Sequence, residues 1–236
     1  MKTKKLITKK PLLLLAAAAS LLLAGTVGST RAALTYYSEN YTAEVAVSNI
    51  GVSLLENGEE SEALLTGLLD EGEELILGKS YEEELSVKNT GSIDAYVRVI
   101  LTKSWKNEDG KKETTLSPDL IGLDLVTGEN GWIVDEEAST EERTVLYYSK
   151  VLPAGATAPA FAEELRIDPS VGTKMVETVA TAGGFTNVAY EHAYDDCTFH
   201  VKAEVNAVQT HSAAEAIKSA WGVDVNVAAD GSLSLQ

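Results

Sequence analysis

The sequence predicts an all-β fold, an antiparallel β-sandwich with one short helix near the C-terminus, and three observations carry that prediction. Apolar and polar residues alternate with the period of two that belongs to half-buried strands. The alternating segments are short and separated by Gly, Pro, Asn and acidic residues, a spacing that suits a sandwich better than strand–helix–strand units. After the N-terminal region, a single segment has the composition and end signals of a helix.

Alternation begins with Ala43, Val45 and Val47 against Glu44, Ala46 and Ser48, and resumes at Leu85 and Val87 between Glu84, Ser86 and Lys88. Asn89, Thr90, Gly91 and Ser92 form the next turn, being residues that favour turn conformations. The strand predicted over residues 96–105 puts Val97, Val99 and Leu101 on one face and Arg98 and Thr102 on the other; Asn107, Glu108, Asp109 and Gly110 then close a hairpin. Shorter strands are predicted at 120–126, 132–135, 144–148 and 164–167. The longest late strand spans 198–209, with Phe199, Val201, Ala203, Val205 and Ala207 inward and His200, Lys202, Glu204 and Asn206 wet. Ser212 and Glu215 have the spacing of a capping box, residues 213–221 favour helix, and Gly222 stands at the C-cap. A helix this short must dock, through Ile217 and Trp221. Val223, Val225 and Val227 supply a possible final strand.

The N-terminus reads as a signal peptide. Lys2, Lys4, Lys5, Lys9 and Lys10 precede an uncharged apolar run over 12–24, and small residues follow through Ala32 and Ala33. The run is short of the ~20 apolar residues of a permanent span, so contact with a membrane is expected only through the uncleaved signal peptide. The expected domain organisation is a signal peptide over 1–33, carried on its own helix, and one sandwich domain over 34–236 that includes the helix at about 212–222. Cleavage at that boundary removes the five lysines and Arg31 and no acid, which takes the net charge from -17 to about -23. A field of that sign repels phosphate backbones and excludes nucleic acid as a partner class. Cys197 is the lone cysteine, so no intrachain disulfide forms even after export.

Residues 25–39 (GTVGSTRAALTYYSE) and 84–105 (ELSVKNTGSIDAYVRVILTKSW) carry a family resemblance. The first resembles the boundary handled by the SipW-type signal peptidase of Gram-positive bacteria. The second resembles the strand–turn–strand hallmark of the TasA/camelysin group of secreted biofilm-matrix fibre proteins, with Asn89, Thr90 and Gly91 as the turn motif. Residues 132–161 match in pattern, and 204–222 (EVNAVQTHSAAEAIKSAWG) is similar to the strand-to-helix ending of exported clostridial-type relatives. The resemblance implies a jelly-roll sandwich, secretion to the cell surface or extracellular matrix, and signal peptidase as a partner during export. It also implies homo-oligomers or fibres with other matrix proteins, in which the mature N-terminal segment completes a neighbour's sheet. Leu34, Tyr36, Tyr37 and Tyr41 are the candidate donor strand. The alternative at that segment is packing onto its own domain.

Catalytic signals are absent from the sequence: there is no His-Glu-x-x-His, no Gly-x-Ser-x-Gly and no P-loop, so a camelysin-like metallopeptidase has no ligand set and the expectation is no enzyme and no cofactor. His192, Asp195, Asp196, Cys197 and His200 have zinc-ligand chemistry but unsuitable spacing if Cys197 shares the inward face with Phe199 while His200 points away. Acidic clusters at Glu59, Glu60 and Glu62, at Asp70, Glu71, Glu73 and Glu74, and at Asp135, Glu136 and Glu137 read as solvated loops with no Ca²⁺-loop spacing. Trp105, Trp132 and Trp221 read as core anchors. The function expected is a structural assembly subunit; the alternative is a monomeric surface module that binds polysaccharide or a host protein.

Overall fold

The computed structural model describes residues 50–236 apart from 62, 66, 183 and 184, and for 178, 180–182 and 185–187 the backbone alone. Ala32, Ala33, Leu34, Tyr36, Tyr37, Tyr41 and the alternation at 43–48 lie outside the described residues.

Fourteen strands, one α-helix and two 3₁₀ turns make up the described chain. One five-stranded sheet holds β1 (Val52–Glu56), β2 (Glu59–Glu60), β3 (Ser80–Asn89), β6 (Ile121–Leu125) and β9 (Ala162–Ile167), in the order β2-β1-β3-β9-β6. The other runs β12-β4-β8-β7, from β4 (Ala95–Lys106), β7 (Trp132–Val134), β8 (Arg143–Tyr148) and β12 (Thr198–Gln209), with β5 (Lys112–Glu113) paired to the end of β4. All strand pairings are antiparallel.

The predicted alternation sets how these sheets meet. Val97, Val99 and Leu101 of β4 point into a core shared with Leu85 and Val87 of β3, Leu146 and Tyr148 of β8, and Phe161 and Ala162 at β9. Trp132 is fully buried there, against Tyr148 and Phe161, and its Nε1 donates to the Pro159 carbonyl at 2.7 Å. Trp105 anchors one end of the molecule, edge-on to Tyr194 and Phe199, with Nε1 donating to the Ser117 carbonyl at 2.9 Å. Replacing Trp105 by Phe keeps most of the apolar contact but leaves that carbonyl only the long 3.5 Å bond from the Leu120 N–H, and a loss of about 1–2 kcal/mol in urea-unfolding stability is expected.

The outer face of the second sheet is not wet throughout, as alternation alone implies. Helix α1 (Ala213–Trp221) lies over it, and Ala213 and Ile217 bury beside Tyr96, Val145, Tyr147 and Val208. Arg98 stacks on the half-buried Trp221 ring at 5.1 Å. The small hairpin of β13 (Val225–Val227) and β14 (Leu233–Leu235) completes this second core. The helix ends as predicted, with Gly222 at φ 74° donating its N–H to the Lys218 carbonyl. Its start corrects the expectation: Ser212 is left-handed (φ 48°, ψ 50°) and makes no side-chain cap bond, so no capping box forms. The chain must turn sharply between the end of β12 at Gln209 and Ala213, and Ser212 supplies that turn instead of a cap.

β10 (Met175–Ala182) and β11 (Phe185–His192) form a two-stranded hairpin that joins neither large sheet.

Candidate functional site

The predicted turn motif is a structural junction. Asn89 is fully buried at the end of β3. Its Nδ2 donates to the carbonyls of Ile93 (2.9 Å) and Leu152 (3.0 Å), and its Oδ1 accepts from Gly91 N–H (2.9 Å). Its backbone N–H donates to Ala156, and its carbonyl accepts from Gly155. Thr90 and Gly91 both donate backbone N–H groups to the Gly51 carbonyl, at 2.9 and 3.1 Å. The approach is close, since a Cβ on Gly51 would stand 2.8 Å from Thr90 Oγ1 and would oblige that exposed side chain to rotate away. The Asn-Thr-Gly turn thus fixes the point where the N-terminal part of the chain enters the first sheet.

From that point β1 runs along one margin of the molecule. Val52, Leu54 and Glu56 face inward, opposite Asn89, Val87 and Leu85 of β3. β2 covers only Leu55 and Glu56, and β12 lies alongside β1 at the same margin. β12 pairs with β4 through all twelve of its residues, from Thr198↔Lys106 to Gln209↔Ala95, and no described strand pairs with its other side. Its inward apolar residues Val201, Ala203 and Val205 are half-buried, as are Val52 and Leu54 on β1. Sequence alternation places these residues on the inner face; their incomplete cover comes from β12 being an edge strand.

A loop closes one end of this margin. Leu64, Leu65, Leu68 and Leu69, with Phe199, His200 and Val201, line an open depression of about 360 Å³. Leu65 holds φ 67°, a strained conformation for a residue with a branched Cγ and a Cβ. Glu56 secures it: the Leu65 N–H donates to Glu56 Oε1 at 2.6 Å. Behind Glu56 lies Glu83, 1% exposed, with an Oε1 that has no hydrogen-bond partner. Burial, a hydrogen bond with Glu56 and the Glu56 charge push the Glu83 carboxyl up to about 8, so it is protonated at neutral pH and serves as donor to Glu56. His200 is held below its usual range by burial and the Lys106 charge, which leaves the depression without an imidazolium at neutral pH.

The sequence reading missed Glu56 and Glu83. The signal was present, since extending the inward parity of Leu85 and Val87 back along the strand lands on Glu83; the surrounding run Glu82–Glu84 disguised it as a solvated face.

The structure does not gather the zinc-type residues. Cys197 precedes β12 rather than lying in it, closing a turn by donating its N–H to the Tyr194 carbonyl at 3.2 Å. Its thiol is pushed up by burial and by Glu113, Asp196 and Asp195, which disfavours a thiolate. Among the described residues no group of three or more His, Cys, Asp or Glu converges on one point, and no helix is long and apolar enough to cross a membrane.

In comparisons with known proteins, no family model, no curated protein and no solved structure matches this chain.

Proposed function

We propose that the chain is a secreted structural subunit of an extracellular-matrix or cell-surface fibre, a jelly-roll member of the TasA/camelysin kind, that assembles by strand contacts and performs no turnover chemistry. The supporting observation is the margin formed by β1 and β12: a twelve-residue strand whose outer side pairs with no other strand among the described residues, next to apolar residues that remain half-covered. An open edge of this length, without proline and with only Lys202 as a strand-borne cation, has few of the devices that block pairing with another chain. An extended segment laid on β12 would satisfy its backbone groups and place alternate apolar side chains against Val201, Ala203 and Val205.

The segment proposed for that role is the mature N-terminus, with Leu34, Tyr36, Tyr37 and Tyr41, donated by a neighbouring copy. The chain beginning at Leu34 is expected to form ordered filaments, seen by negative-stain microscopy and light scattering. They should grow with concentration and at mildly acidic pH, where carboxylate repulsion weakens. Deleting residues 34–40 should leave a folded monomer. Normal filaments from that deletion would rule out donation by this segment, and monomers from both forms under every condition would favour a module that binds an extended foreign peptide on the same edge.

A further inference from the structure

The hairpin of β10 and β11 has no place in strand donation, and its surface is unlike the rest of the molecule. Five of the seven exposed large apolar side chains among the described residues belong to it: Met175, Val176, Val179, Val188 and Tyr190. The pairing register decides how they are arranged. Met175 opposes His192, Glu177 opposes Tyr190 and Val179 opposes Val188, and directly opposed residues share a face. Met175, Val179, Val188 and Tyr190 therefore lie on one face of the ribbon, with Glu177 and His192 beside them toward its base, and Val176 lies on the other. A two-stranded ribbon is marginal in water on its own, and this one shows its apolar face to solvent.

We propose that this face is a homotypic contact, in which two copies of the chain stack their hairpins face to face. Charge identifies the occupant. Residues 178–190 carry no charged side chain, the longest such stretch after the N-terminal apolar run, in a chain of net charge -17. A cationic partner would be drawn to the acidic clusters elsewhere, whereas a second copy, equally acidic, is repelled everywhere except at such a surface. The face is also self-complementary. With the row of Val179 and Val188 on a two-fold axis that runs across the ribbon, the valines of both copies pack together and the two Glu177–Tyr190 rows fall on opposite sides of them. No carboxylate meets another. Within each copy the Tyr190 hydroxyl donates to Glu177 Oε2 at 3.4 Å, so the acid keeps a local partner.

Size sets the strength. A ribbon of eight-residue strands is about 27 Å long and offers roughly 300 Å² per copy, below the ~800 Å² per partner of a stable pair. The contact is weak between monomers and gains strength when many copies are aligned, as a lateral contact between polymers would be. It is separate from strand donation and does not depend on it.

The test uses the full chain with Cys197→Ser, so that one introduced cysteine is the sole thiol. Val188→Cys under mild oxidation should give a disulfide-linked dimer at least tenfold more abundant than Ile76→Cys, a control outside the hairpin that is somewhat more exposed (58% against 48%). Adding Val179→Lys should reduce the Val188→Cys dimer by a similar factor. A Val188→Cys chain that stays monomeric, dimerises no more than the control, or ignores Val179→Lys overturns the proposal. Neither result bears on strand donation, which is read from deletion of residues 34–40.

Discussion

Glu83→Gln is expected to remove most of the alkaline loss of stability of this protein. The folded Glu83 carboxyl titrates at about 8 against 4.5 for the unconstrained group, so between those values the folded state holds a proton that the unfolded state has released. The group's contribution is therefore fully present below pH ~4.5, declines as pH rises, and is exhausted above pH ~8. At ~1.4 kcal/mol per unit the wild-type chain loses on the order of 4–5 kcal/mol across that window from this group alone. Glutamine keeps the shape and an N–H donor toward Glu56 but does not ionise. Chemical unfolding at several pH values should give curves that coincide near pH 5 and separate by several kcal/mol near pH 9, with the variant more stable. Parallel curves would mean that Glu83 is solvated on folding. Because Glu56 also holds Leu65, the protection factor of the Leu65 amide, corrected for the base-catalysed intrinsic rate, should fall above pH 8 in the wild type and not in the variant.

Asn89→Asp is the second large effect. The carboxylate keeps the acceptor for Gly91 N–H, but the two donors to Ile93 and Leu152 disappear and a charge is buried at a fully covered position facing carbonyl oxygens. Two bonds are lost, of which the Leu152 carbonyl keeps its second donor, the Ala95 N–H; the loss costs about 1–3 kcal/mol, and burial of the charge, or protonation to avoid it, adds to that. Asn89→Ala should cost less than Asn89→Asp at pH 8, and the order should narrow or reverse near pH 4. The reading fails if both variants unfold at the wild-type denaturant midpoint. Since Asn89 orients Gly91, and Gly91 holds Gly51, the same substitution should loosen the entry of the N-terminal segment before it unfolds the sheets.

How much of this was legible in the sequence depends on whether each strand has one wet face. β12 was predicted at its observed bounds because Phe199 through Ala207 alternate cleanly, and β4 within a residue at each end for the same reason. The hairpin of β10 and β11 escaped because a ribbon exposed on both sides needs no alternation, and Met175 through Ala182 show none. β1 was missed because Val52–Glu56 runs Leu54 and Leu55 together, one facing the core and the other, beside Glu60 of β2, the opposite side of the sheet. Composition located α1, but the conformation of Ser212 is set by the geometry of the turn out of β12, which no local pattern encodes. The open margin is a property of strand order, and strand order is fixed by pairings far apart along the chain.

Those distant pairings also govern how the molecule comes into being. β4 sits at the centre of its sheet, yet its partner β12 lies about a hundred residues later in the chain, and β3 waits almost as long for β9. Closing loops of that length before any reward in contacts places such a topology among slow folders, in roughly the millisecond-to-second range. A nascent chain of this kind has its central strand bare on the β12 side until the last fifth of the sequence has been made. Slow closure of that side leaves the backbone groups of the central strand unpaired for most of the time the chain takes to be made.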